Sequence, residues 1–393
     1  MRLQYLSLTN FRNYARLELT LPERPVLLYG SNAQGKTSLL EAVYVLSAGS
    51  SPLAHRNEEL LKWNAEEEGL PYARIWGEVV HRDRTHELEV ILEKHHLRNG
   101  SYRVQKTIRI DGVRKRRADL AGQLNVVLFM PQTLELIAGS PSGRRDYLDD
   151  TLCQVDSGYC EAVSRYGQLV SERNAALRHI RDEGGSADQL VPFERDLVRE
   201  GVTIIRRRRE LIDALSQRAH RLHQTLTGGN EWLKLRYEPN FDPGPPGERS
   251  EKEAQEEFRE TLLRRRREAI GRGVTVTGPH RDEMSFIAGS PRQGAHEVDL
   301  RTYGSRGQQR TAVLSLKLAE LNWLKEQTHE APVLLFDEVL AELDARRRRY
   351  LLEQVDEVEQ ALLTATDIEM FNEAFRREAA LWEVEAGIIS QNG

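Results

Sequence analysis

In the run Gly30-Ser31-Asn32-Ala33-Gln34-Gly35-Lys36-Thr37, glycine, lysine and a hydroxyl stand at fixed intervals. The run fits G-x-x-x-x-G-K-[ST], a pattern suited to holding a polyphosphate. Glycines let backbone N–H groups curl round phosphate oxygens without a clashing Cβ. A helix that begins where the run ends adds partial positive charge. Lys36 has the reach for the β- and γ-phosphates, and Thr37 has a hydroxyl for Mg²⁺. Far downstream, Pro332-Val333-Leu334-Leu335-Phe336-Asp337-Glu338 ends an apolar stretch in two carboxylates. Asp337 is suited to hold Mg²⁺ through water, and Glu338 to orient or deprotonate an attacking water. Each motif alone has a plainer reading, a chance octapeptide or a strand ending in solvated acids. Together they point to ATP with Mg²⁺, and to hydrolysis.

The elements around them have the right kind. Val26-Leu27-Leu28-Tyr29 is a short apolar run and predicts a buried strand before the glycine loop; residues 38–46 predict a helix after it. Val333-Leu334-Leu335-Phe336 predicts a second buried strand. Residues 75–110 read as β-rich, with strands at 76–80, 88–92 and 108–110 and a turn at Arg98-Asn99-Gly100. From 142 to 227 helix formers dominate, broken at Glu183-Gly184-Gly185-Ser186. A further helical stretch, 250–270, follows a Pro/Gly-rich loop. After Gly271 the β-like pattern returns, and a long helix is expected over 309–327. Some 300 positions separate Lys36 from Asp337, so a large insertion splits the nucleotide fold.

Bulk properties narrow the class. With 393 residues, 30% charged and 39% hydrophobic, the chain reads as a soluble protein of two or three domains. Its apolar runs are too short to span a bilayer, and no apolar signal region follows Met1-Arg2-Leu3-Gln4, so a cytoplasmic protein with no membrane role is expected. Cys153 and Cys160 are the only cysteines. Their spacing suits neither a disulfide framework nor a zinc site. The net charge of −5 argues against a uniformly basic nucleic-acid binder, but basic quartets stand at 114–117, 206–209, 264–267 and 346–349. Arginine quartets on helices read first as solvated faces.

Ser305-Arg306-Gly307-Gln308-Gln309-Arg310, about 30 residues ahead of Asp337, resembles the signature segment of ABC-type ATPases. Leu340-Ala341-Glu342-Leu343-Asp344 resembles their D-loop, and Phe129-Met130-Pro131-Gln132 their Q-loop. Asn10-Phe11-Arg12-Asn13-Tyr14 resembles their opening segment. More narrowly, Gly139-Ser140-Pro141-Ser142-Gly143-Arg144-Arg145-Asp146-Tyr147-Leu148-Asp149, Gly278-Pro279-His280-Arg281-Asp282 and the 305–310 run resemble the RecF family. The resemblance covers the chain from Leu8 to about Asp367. One departure from the wider ABC pattern stands at Ala361-Leu362-Leu363-Thr364-Ala365-Thr366-Asp367, which lacks the usual γ-phosphate-sensing histidine. RecF-like proteins tend to use hydroxyl residues there, and the roles of Thr366 and Asp367 stay open.

This resemblance implies an α/β fold. An ABC-type ATPase head, 1–140 with 271–393, carries a β-rich subdomain at 72–115 and an inserted helical arm at 141–270. It implies that Ser305, Gly307 and Gln308 of one copy face the γ-phosphate bound by Gly30–Thr37 of another, with Asp344 at that interface. It implies that Gln132 lies near Mg²⁺ and the attacking water, and Arg12 near the phosphates. A weak, DNA-stimulated ATPase is expected, whose ATP-driven homodimer grips duplex DNA at single-strand gaps. The family's partners are RecO and RecR, leading to RecA loading. Arg114, Lys115, Arg116 and Arg117, at the edge of the strand subdomain, are the candidate DNA contacts. An SMC-like DNA-organising ATPase and a transporter-type subunit are the alternatives. The arm is too short for the first, and both the arm and the missing histidine argue against the second.

Overall fold

The computed structural model describes residues 1–65, 71–82, 84–96, 101–245, 247–290 and 296–392. The turn expected at Arg98-Asn99-Gly100 lies outside them. The chain divides into two compact units, Met1–Thr133 with Glu320–Gly393, and Leu134–Ala319.

In the first unit a six-stranded sheet runs in the order Ile388–Asn392, Ala380–Glu385, Val26–Tyr29, Ala361–Ala365, Val333–Asp337, Val126–Phe129. Pairing is parallel throughout except for the antiparallel edge strand Ile388–Asn392. The inner strands read as unbroken apolar runs because they are covered on both faces; Val26, Leu27, Leu334 and Leu362 have no exposed surface. The order brings strands from the two ends of the chain side by side. A second, antiparallel sheet runs Tyr14–Thr20, Arg2–Phe11, Tyr72–Val80, Thr85–His96, Tyr102–Ile110, Val113–Lys115. Here one face alternates inward, as at Leu6, Leu8, Val79 and Val90, which belong to one core with Val43 and Leu46 of the helix Lys36–Ala48 and Val126 and Leu335 of the first sheet. That helix is apolar nearly all round, which suits an element packed on more than one side. Among the described residues no helix is long and apolar enough to cross a membrane.

The second unit holds the helices Pro141–Cys153, Ser157–Glu183, Val191–Thr227, Glu251–Arg264 and Arg266–Arg272. The break read from Gly184-Gly185 is a helix end, with Gly184 at φ 78. Cys153 and Cys160 are buried on helices and are not joined in a disulfide. One strand, not expected from the sequence, lies between the two helical stretches. Trp232–Glu238 pairs antiparallel with Glu283–Gly289. Its Leu233 and Leu235 are buried and alternate with exposed Lys234 and Arg236, so period two wins over composition. Those ladder bonds also tie residues beyond 270 to this unit, which the packing draws wider than 141–270.

The arginine quartet at 206–209 is not a solvated face. Arg208 is 4% exposed, and its guanidinium donates to both Asp149 carboxylate oxygens at 2.8 and 3.0 Å and to the Pro279 carbonyl at 2.8 Å. Arg209 pairs with Asp242 at 2.6 Å. The Gly-Pro-His-Arg-Asp segment is the brace these groups meet. Asp282 accepts from the Asn240 N–H at 2.8 Å and from the Tyr237 hydroxyl. His280 Nε2 donates to the Thr275 carbonyl at 2.9 Å, which leaves Nδ1 to accept from the Tyr166 hydroxyl at 2.8 Å. Burial pushes the His280 pKa down to about 4 and keeps the ring neutral. Gly278 is required, since its φ is 129 and a Cβ would stand 2.2 Å from the Tyr166 hydroxyl. Breaking a buried ion pair from one side strands the other charge. Arg208 keeps Asp282 at 3.5 Å as a second carboxylate, so Asp149→Ala is expected to lower the unfolding free energy by about 3 kcal/mol, the low end for such a break, read as a shift in the denaturant midpoint.

Candidate nucleotide-binding site

The glycine loop hangs between the strand Val26–Tyr29 and the helix Lys36–Ala48. Gly30 stands at φ 148, and a Cβ there would lie 2.4 Å from the Val384 carbonyl. Gly35 caps the helix at φ 116, against Asn13 and Tyr14. The loop is braced by two other stretches of the chain. The Asn13 side-chain amide donates to the Gln34 carbonyl at 2.9 Å, and the Tyr14 hydroxyl to the Gly35 carbonyl at 2.9 Å. The Ala386 N–H donates to Gln34 Oε1 at 2.6 Å, and the Gly387 N–H to the Gln34 carbonyl at 3.0 Å. Lys36 is 4% exposed; its ammonium donates to the carbonyls of Gly30 (2.8 Å) and Ser31 (2.9 Å). The charge therefore sits inside the loop's own curl, at the end of a helix whose first N–H groups are open for an anion.

The two distant carboxylates arrive at this loop. Thr37 Oγ1 lies 2.8 Å from one oxygen of Asp337 and 2.9 Å from the other. Glu338 Oε1 is 3.2 Å from Lys36 Nζ. Asp337 is 5% exposed, and burial raises its pKa against the opposing hydrogen bonds from Thr37 and Thr364. A hydroxyl and a carboxylate oxygen at this separation are hard donors that fit Mg²⁺, which takes one or two protein oxygens and fills its octahedron with phosphate and water. Glu338 adopts a left-handed backbone, φ 51, a conformation costly for a residue with a Cβ. Its N–H is held by Thr364 Oγ1 at 2.9 Å.

A cleft of 650 Å³ opens over these groups, lined among others by Arg12, Asn13, Asn32, Trp63, Gln132 and Glu338. Gln132, in the turn Pro131–Leu134, is exposed at its rim. Arg12 is anchored rather than free. Its guanidinium donates twice to the buried Glu41 carboxylate, at 2.7 and 2.6 Å, and to the Glu59 carbonyl at 2.8 Å. Asp344 caps the helix Ala345–Val355, accepting from the Arg347 N–H at 2.9 Å.

The signature residues stand in the second unit. Ser305 Oγ accepts from the Gln308 N–H at 3.2 Å while Gln308 Oε1 accepts from the Ser305 N–H at 3.0 Å, a reciprocal cap on the helix Arg306–Thr328. Gln308 Nε2 donates to Glu231 at 2.9 Å. Both ends of that amide are thus engaged, and Gln308 acts on Ser305. Ser305, Arg306 and Gly307 are exposed. Beyond its chain neighbours and its own helix backbone, a Cβ on Gly307 would meet nothing among the described residues closer than Ser305 Oγ at 4.0 Å.

Of the basic run, Arg114 and Lys115 are exposed on the edge strand Val113–Lys115, and Arg116 is exposed beside Asp119. Arg117 is directed inward, donating to the Ala48 carbonyl at 2.8 Å and to Ser50 at 3.2 Å. Thr364 is the hydroxyl that sequence reading passed over. It is 2% exposed and donates to Asp337 at 2.9 Å. Its signal is a lone hydroxyl within Ala361-Leu362-Leu363-Thr364-Ala365. Asp367, by contrast, caps the short turn Ile368–Met370.

Comparison with known proteins gives a consistent result. The model of the RecF/RecN/SMC N terminal domain matches residues 2–390. The DNA replication and repair protein RecF of Roseiflexus castenholzii is 39% identical, the match covering 98% of this chain and 99% of that protein. That of Halalkalibacterium halodurans is 33% identical over the whole of both. Among solved structures, the recombination mediator protein RecF with ATP, of the RecFOR pathway, superposes with a TM-score of 0.84 at 30% identity, covering 100% of this chain and 97% of that one. An SMC head bound to the C-winged helix domain of ScpA reaches a TM-score of 0.52 at 15% identity, a likeness of fold alone. The chain belongs to the RecF family of DNA replication and repair proteins, within the RecF/RecN/SMC group.

Proposed function

We propose that this chain is a recombination mediator of the RecFOR pathway that binds ATP and Mg²⁺, dimerises on the nucleotide and grips duplex DNA near single-strand gaps. With RecO and RecR it promotes loading of RecA. The observation that carries the reading is the contact of Thr37 with Asp337 across 300 positions of sequence, with Lys36 and Glu338 beside it. A triphosphate in the glycine loop competes with Glu338 for the Lys36 ammonium. Once released, Glu338 is placed to orient or deprotonate water, with Gln132 at the rim. Thr37 and Asp337 would hold Mg²⁺, which would supply charge neutralisation at the phosphates when bound. Ser305 and the Gly307 backbone of a second copy supply further donors to the γ-phosphate, so ATP joins two chains. Phosphate contacts made only in the closed state shift the population toward it. Slow hydrolysis then loosens the pair.

The test is sedimentation and duplex binding, each with and without ATP, across a salt series. ATP is expected to raise both dimer fraction and duplex affinity. Lys36→Ala removes a charged donor to phosphate, and is expected to weaken ATP binding about 10–100-fold and abolish both effects. If Arg114, Lys115 and Arg116 of both copies meet phosphates, log affinity should fall against log salt with a slope of roughly −5. Dimerisation and duplex binding that ignore ATP would sink the reading.

A further inference from the structure

Trp63 is 87% exposed, the most open large apolar side chain among the described residues, yet it lines the cleft over Lys36, Thr37 and Glu338. Its exposure is not that of a loose tail. Leu60 and Ala65, on either side, are each 2% exposed. The Lys62 N–H donates to the Asn10 carbonyl at 2.8 Å and the Arg12 N–H to the Leu60 carbonyl at 2.9 Å, while Leu61 bridges to Phe11. The Ala65 N–H closes back on the Lys62 carbonyl at 3.0 Å. A clamped segment thus holds an indole in water at the mouth of a polar cleft, where no other described lining residue is aromatic. Leaving that much apolar surface wet is unfavourable unless something covers it.

Phosphates held at Lys36 and Thr37 leave the nucleoside to extend along the cleft, and a purine has the flat π-face that an indole stacks on. We propose that Trp63 is the base platform of this site, stacking on the purine of the nucleotide whose phosphates the glycine loop holds. The inference rests on the nucleotide reading above. Stacking tolerates either purine, so Trp63 favours nucleotides over bare polyphosphate without choosing adenine over guanine.

Calorimetric titration of the full chain with ATP, GTP and inorganic tripolyphosphate tests this. Trp63→Ala is expected to weaken ATP and GTP about tenfold and leave tripolyphosphate unchanged. Trp63→Phe should keep most of the affinity, and should lose the quenching of intrinsic fluorescence that stacking predicts when ATP is added to the parent. Circular dichroism checks that both variants are folded, as expected for an exposed position. Unchanged ATP affinity in Trp63→Ala, alongside a large loss in Lys36→Ala, overturns the platform and leaves the nucleotide site standing. Equal weakening of tripolyphosphate overturns it too, since Trp63 would then act by shaping the loop. Unchanged ATP affinity with weakened duplex binding or dimerisation assigns the indole to a macromolecular surface instead. If the parent binds none of the three ligands, the nucleotide reading itself fails.

Discussion

Replacing Glu338 by glutamine is expected to lower ATP turnover by about 100-fold or more and to turn a transient ATP-bound dimer into a persistent one. The size follows from what a positioned general base contributes. The substitution isolates that role because it keeps volume and hydrogen-bonding shape. The backbone hydrogen bond from the Glu338 N–H to Thr364 is untouched, and the side chain is 35% exposed, so little stability is lost. Its ion pair with Lys36 disappears, which removes a competitor for the triphosphate and should hold ATP affinity level or raise it. Binding and chemistry are thereby separated: nucleotide stays in place while the step that opens the dimer slows. Sedimentation velocity with ATP, beside single-turnover hydrolysis, reads both. A variant that remains monomeric with nucleotide binding intact would show that ATP does not join the chains.

The parts of this site legible in sequence are those whose chemistry is local. Val26–Tyr29 and Val333–Asp337 are covered on both faces, so their burial appears as unbroken apolar runs, and the loop and carboxylates that follow them carry their own residue types. What stayed hidden depends on sheet order and register. Thr364 reaches Asp337 because the two are Cα partners in a parallel ladder, and no local pattern gives that register. Thr366 and Asp367 lie beyond the strand, where Asp367 caps a turn. Gln34 is likewise unreadable as an anchor until Asn13 and the turn at Ala386 and Gly387 come beside the loop. Arg208 shows the opposite failure. A run of four arginines looks solvated, and distant partners, Asp149 59 positions away and the Pro279 carbonyl, explain why one of them is buried. Trp232–Glu238 was legible in principle, since Leu233 and Leu235 alternate with basic residues, but helix-rich flanks masked a short strand.

Introducing arginine at Ser305 is expected to abolish ATP-dependent dimerisation and lower turnover about 100-fold, while each chain binds ATP within about twofold of the parent. The argument starts from Gly307. Beyond its chain neighbours and its own helix backbone, a Cβ there would meet only Ser305 Oγ at 4.0 Å among the described residues, so packing against other elements does not demand glycine. Ser305 and Gly307 are both exposed at the start of the helix Arg306–Thr328, whose N-terminus suits an anion. Gln308 fixes the geometry, with one end of its amide on the Ser305 N–H and the other on Glu231. A long cation at 305 removes the hydroxyl, fills the space that an incoming phosphate needs and loses the cap, the last costing about 1 kcal/mol. Ser305→Ala separates these effects, since it loses hydroxyl and cap but leaves the space open, and is expected to weaken the dimer less. The glycine loop, Lys36 and Asp337 belong to the other compact unit, so binding by the single chain should persist. Equal loss of ATP binding and dimerisation in the arginine variant would place Ser305 in the fold of its own chain and remove the shared site.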